Sequence, residues 1–109
     1  MKVPNHPPIE LMNISRVLHA LSDPIRLNLV KQLADCGELS CGELDLQVAK
    51  STASHHFRVL REAGVIRMTP KGTQYINSLR RQDLQNRFPN VLDSVLTSFQ
   101  NESTATEIL

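Results

Sequence analysis

No apolar run in this chain approaches the ~18 residues a membrane-spanning helix needs. Residues 1–10 also lack the apolar stretch of a secretory signal. There is no glycine-rich phosphate loop, no metal triad, and no nucleophile with an evident base and orienting group. Ser54 and His55 are neighbours on one expected helix, and adjacent helical side chains diverge rather than meet. These absences argue against a membrane protein and against an enzyme. Cysteine is scarce, with two in 109 residues. In a chain without a leader, that fits free thiols and a cytoplasmic location. The length suits one small domain with a modest core, for which dimerisation is a ready source of stability.

Net charge is only +1, but it is unevenly spread. Residues 50–81 hold seven basic groups (Lys50, Arg58, Arg61, Arg67, Lys71, Arg80, Arg81) against the single acid Glu62. Residues 1–49 and 82–109 are both net acidic. A basic middle between acidic flanks is the footprint of a face that meets a polyanion.

Residues 1–8 contain three prolines and little apolar material, and are expected to form a loose arm. From Ile9 the pattern turns helical: Ile9, Met12, Val17, Leu18 and Leu21 fall near one face. Asp23-Pro24 reads as N-cap and first residue of a second helix, with Ile25, Leu29, Val30 and Leu33 inward and Gly37 as its stop. Ser40-Cys41-Gly42-Glu43 has the form of a capping box, predicting a short third helix to about Ala49 with Leu44 and Val48 inward. Lys50 is then the connection and Ser51 the cap of a fourth helix, ended by Gly64. Two helices across so short a turn form a helix-turn-helix. Residues 65–69 and 73–77 flank Pro70-Lys71-Gly72 and predict a β-hairpin, the wing. Leu84, Phe88, Val91, Leu92, Val95, Leu96 and Phe99 form a long apolar stripe at helical spacing, which Pro89 either starts or bends. Residues 100–109 are expected to be a flexible tail. The domain proper is 9–99.

The fourth helix has the two faces a DNA-reading helix needs. Ala53, Phe57 and Leu60 would dock on the body. Ser51, Thr52, Ser54, His55 and Arg58 would present short hydrogen-bonding groups and a cation, and helix N-terminal amides favour phosphate. Lys50 precedes them, and Lys71 and Thr73 sit at the wing. His55 shares the side of Ser51 and Arg58, whereas His56 lies with Ala53 and Leu60 and is expected to be a buried, hydrogen-bonded structural residue.

Leu21-Ser22-Asp23-Pro24-Ile25-Arg26-Leu27, with Ser51-Thr52-Ala53-Ser54-His55-His56-Phe57-Arg58-Val59-Leu60 followed by Glu62-Ala63-Gly64-Val65-Ile66, resembles the ArsR/SmtB-type winged helix-turn-helix repressors over about residues 10–80. The resemblance implies a mainly α fold with a small β-hairpin, in the order α-α-α-α-β-β-α. It further implies a homodimer through the first and last helices. The stripe residues Ile9, Met12, Leu18, Val91, Leu92, Val95, Leu96 and Phe99 are the candidate dimer interface. Double-stranded DNA is the implied partner, a palindromic operator the implied target, and release by a small-molecule inducer or a thiol reaction the implied control.

Metal-sensing members of that family carry Cys-x-Cys in a segment like Glu38-Leu39-Ser40-Cys41-Gly42-Glu43-Leu44, and the two thiolate positions here are Ser40 and Gly42. Zinc sites on the last helix use carboxylates and histidines, and residues 82–99 hold Asp83 and Asp93 without a histidine. No metal or other cofactor is expected. Cys36 and Cys41 remain, either as two small, partly buried thiols or as a redox pair. The rival from another class is a winged-helix module that binds only protein. It would lack focused charge at the wing and the reading helix.

Overall fold

The structure is a computed structural model that describes residues 1–108, with side chains through Glu102. The first helix is split. A 3-10 turn, Ile9–Leu11, is followed by extended backbone at Met12, and α1 spans Ile14–Ala20. Asn13 causes the break, because its side chain accepts from the Arg16 N–H at 2.9 Å, and Asn serves a helix better as a cap than in its interior.

Helix α2 spans Pro24–Cys36 as the sequence predicts, with Asp23 capping Ile25 and Arg26 and Pro24 in the first turn. The predicted third helix does not form. Strand β1, Glu38–Ser40, takes the first part of that segment, and a turn at 41–43 leads into irregular chain. The capping-box bonds are nonetheless present. Ser40 N–H donates to Glu43 Oε1 at 2.9 Å, and Glu43 N–H donates to Ser40 Oγ at 3.2 Å. They close one turn only. Leu44 and Leu46 are both buried with Asp45 exposed between them, a period-two pattern that extended chain satisfies and helix does not. Asp45 also accepts from the Gln47 N–H, and Gln47 has a φ of 55°, which ends any helical path.

Helix α3 spans Lys50–Ala63. Ala49, not Ser51, is at its N-cap, so the helix starts without a side-chain cap and Lys50 and Ser51 belong to its first turn. Gly64 closes it at φ 88°. A Cβ there would lie 2.8 Å from Met12 Cγ, so glycine both makes the left-handed turn and lets Met12 in.

Strand β2 spans Ile66–Lys71 and β3 spans Gln74–Leu79, in an antiparallel sheet of order β1-β3-β2. Lys71 pairs with Gln74, so the wing turn is Gly72-Thr73 rather than Pro70-Lys71-Gly72. Gly72, at φ 63°, takes the first central position, where a type II′ turn wants glycine. Pro70 lies within β2 opposite Tyr75, and because β2 is an edge strand its missing N–H costs no ladder bond.

Helices α4, Arg81–Arg87, and α5, Val91–Ile108, resolve the question at Pro89, since the chain breaks there rather than bending. Proline pushes the preceding Phe88 out of helical conformation, to φ −134° and ψ 81°, and Asn90 turns at φ 67°. Helix α5 continues past residue 99, where the sequence places the start of a tail. The core lies between α1, α2, α3 and the sheet, with Met12, Val17, Leu29, Leu33, Leu60, Val65 and Ile66 almost wholly enclosed. No helix among the described residues is long and apolar enough to cross a membrane.

Candidate nucleic-acid interface

Helix α3 buries His56, Phe57, Leu60 and Ala63 and exposes Lys50, Ser51, Thr52, Ser54, His55 and Arg58. The two histidines part as the sequence predicts. His56 is enclosed. Arg26 Nη1 lies 3.2 Å from its Nδ1, a contact in which the guanidinium can only donate. Arg26 also donates to the Ala20 and His19 carbonyls, at 2.7 and 3.2 Å. One buried cation thus joins the end of α1, the start of α2 and the middle of α3. Burial pushes the nearby Asp23 carboxyl up, but the Arg26 and Ile25 N–H bonds and the Arg26 charge outweigh it and hold the group below its ordinary value. On the outer face, His55 Nδ1 accepts from Arg58 at 3.2 Å.

The basic segment does not keep all of its charge. Arg67 and Arg80 both meet Asp83, at 3.7 and 3.0 Å. Arg81 meets Asp93 at 2.7 Å, and Arg61 lies 4.0 Å from Glu62. Among the described residues no carboxylate pairs with Lys50, Arg58 or Lys71. The acidic 82–109 segment therefore neutralises arginines behind the wing. The cations of that segment left without a carboxylate partner lie on α3 and at the hairpin turn.

Lys50, Ser54, Arg58 and Thr73 line one open cleft of about 780 Å³ between α3 and the hairpin. Ser51, Thr52 and His55 lie on α3 outside it, and Lys71 ends β2 beside the wing turn. Sequence reasoning missed Arg61, Gln74 and Tyr75, which also line the cleft. Arg61 sits three residues after Arg58 and seven after Ser54, so helical spacing could have found it.

The N-terminal segment gave no such signal, because it is held mainly through its backbone. Tyr75 Oη donates to the Lys2 carbonyl at 2.9 Å, Arg61 to the Asn5 carbonyl, and Arg80 to the Pro7 carbonyl at 2.7 Å. Met68 N–H donates to His6 Nε2 at 3.0 Å. Residues 1–8 form no helix or strand, yet they lie along the hairpin and α3. Burial, then the charges of Arg67, Arg61 and Arg80, hold the His6 imidazole below its ordinary pKa.

Residues 23–67 match the family model described as bacterial regulatory protein, arsR family. The chain is 39% identical over 85 residues to the uncharacterized HTH-type transcriptional regulator YceK of Bacillus subtilis (strain 168), covering 74% of this chain and 84% of that protein. The chain belongs to the ArsR family. Its fold is shared with the transcriptional repressor BigR from Xylella fastidiosa, at a TM-score of 0.55 and 32% identity over 68% of this chain and 84% of that one. It is also shared with Rv0081 of M. tuberculosis, at a TM-score of 0.63 and 22% identity over 87% and 92% of the two chains. As an ArsR-family member the chain is a winged-helix, DNA-binding transcriptional regulator and not an enzyme.

In this ArsR-family chain the two positions that would carry sensor thiolates, Ser40 and Gly42, flank Cys41 in the turn after β1. Cys36 is exposed, Cys41 is half-buried, and both are free. Strand β1 separates them. Cys41 Sγ instead lies 3.3 Å from the enclosed Asn77 Nδ2. The expected interface residues also divide. Met12 and Leu92 are buried inside the chain itself. Leu18 is 47% exposed, and Ile9, Val91, Val95, Leu96 and Phe99 are half-buried. Leu11, at 71% exposed, and Ile14 add apolar surface that the sequence reading did not include.

Proposed function

We propose that this ArsR-family regulator is a cytoplasmic repressor that binds a palindromic operator as a homodimer and leaves it when a signal arrives. The observation that carries the reading is the placement of Lys50, Arg58 and Lys71, three cations without carboxylate partners beside the short polar face of α3. Arg58 and Thr52 read base edges from the major groove, where a well-placed arginine meets guanine. Lys50, Ser51, Ser54 and His55 anchor phosphates at the start of the helix, and Lys71 and Thr73 do so from the wing.

Exposed Leu11, Ile14 and Leu18, with Val91, Val95, Leu96 and Phe99 of α5, form the self-complementary face of the dimer. Pairing them sets two α3 helices about one DNA turn apart, roughly 34 Å. Recovery of bound genomic fragments, followed by footprinting, tests the proposal. The expected footprint is a two-fold site with half-sites one turn apart, and a reporter driven from it should rise when the regulator is deleted. An asymmetric single half-site bound tightly by one copy, or a reporter that falls on deletion, contradicts it.

A further inference from the structure

The cleft between α3 and the wing has a floor that DNA does not account for. Phe57 and Met68 lie in it, each less than a tenth exposed, with Ala53, Tyr75, Cys41 and Pro4 as further apolar surface. A phosphodiester backbone has no apolar group to bury against them. Lys50 and Arg58 bring positive charge without a carboxylate partner, Arg61 adds a guanidinium 4.0 Å from Glu62, and among the described residues no aspartate or glutamate lines the cleft. Its volume, about 780 Å³, falls within the range of small-molecule pockets. Its walls come from four parts of the chain: α3, the hairpin, the turn after β1 and the N-terminal segment. The last is tied down by the bonds from Tyr75 to Lys2 and from Arg61 to Asn5.

We propose that this cleft binds a small carboxylate with an apolar, aromatic-sized body, and that the bound ligand displaces DNA. The apolar body lies on Phe57, Met68 and Tyr75, and the carboxylate pairs with Arg61 and Arg58. Such a ligand takes Arg58 away from the operator and fills the space beside Ser54 and Thr73. The displacement step rests on the DNA face proposed above, whereas ligand binding does not.

The probe is 2-naphthoate, titrated into the full chain carrying methyl-labelled methionines. The chain has three, Met1, Met12 and Met68, and enclosed Met12 serves as the control for an intact core. The Met68 methyl signal should shift saturably while Met12 stays in place. Arg61→Gln should weaken naphthoate binding at least tenfold, with the Met12 signal in its native place as the sign of an intact core. Saturating naphthoate should lower operator affinity of the native chain at least tenfold. An unmoved Met68 signal at millimolar naphthoate, or a titration unchanged in Arg61→Gln, overturns the site. Ligand binding that leaves operator affinity unchanged overturns the competition. A chain that binds naphthoate at Met68 but no DNA supports the site and refutes the DNA face instead.

Discussion

Arg26 Nη1 lies 3.2 Å from His56 Nδ1, while its Nε donates to the Ala20 carbonyl at 2.7 Å. Both side chains are enclosed, so these acceptors have no water to turn to if the guanidinium is lost. Arg26→Ala should therefore cost about 2–3 kcal/mol, the range for losing charge-assisted bonds and stranding buried acceptors. Chemical denaturation should show a lower midpoint with an unchanged slope. An unaltered midpoint would mean that Arg26 does not hold α1, α2 and α3 together.

Much of this was legible in the chain. The Asp23-Pro24 start of α2, the buried stripe of α3, the division of His55 from His56 and the presence of a wing follow from local chemistry that the tertiary structure keeps. The failures have identifiable physical causes. The capping box at Ser40–Glu43 is a real set of bonds, but a turn uses them as well as a helix does, and burial of Leu44 and Leu46 two residues apart decided for extended chain. The wing turn contracted from Pro70-Lys71-Gly72 to Gly72-Thr73 because Pro70 fits an edge strand, which a single sequence does not reveal. The N-terminal segment was unreadable for a different reason, since its anchors are mostly carbonyl oxygens that every residue possesses.

His6 makes that segment pH-dependent. Its Nε2 accepts from the Met68 N–H, which only the unprotonated nitrogen can do. The pKa is lowered by burial and by Arg67, Arg61 and Arg80, so the free segment binds protons more readily than the docked one. Docking is thus complete above the ordinary value of 6.5 and weakens as pH falls below it. The Met68 amide resonance should move with a midpoint below 6.5, and His6→Ala should abolish the movement. A midpoint above that value would reverse the sign and contradict the contact.

The dimer face predicts a graded response. Leu18 and Val95 lie on its exposed and half-buried parts, and burying such side chains stabilises by ~1.5–3 kcal/mol each. Leu18→Asp should shift sedimentation from dimer to folded monomer at micromolar concentration. Met12→Asp should unfold the chain instead, because Met12 lies in the protomer core. A native chain that sediments as a monomer throughout would refute the interface.

The central claim is that α3 and the wing read DNA, and salt-dependent binding tests it most directly. Fluorescence anisotropy with a labelled operator duplex should be run across a salt series for the native chain, Arg58→Ala and Lys71→Ala. Arg58→Ala should lose ~1–3 kcal/mol of binding to the operator and discriminate less against altered sequences. Lys71→Ala should weaken all duplexes alike and reduce the log–log salt slope by about one. If both variants bind the operator with native affinity and native salt slope, the interface lies elsewhere on the molecule.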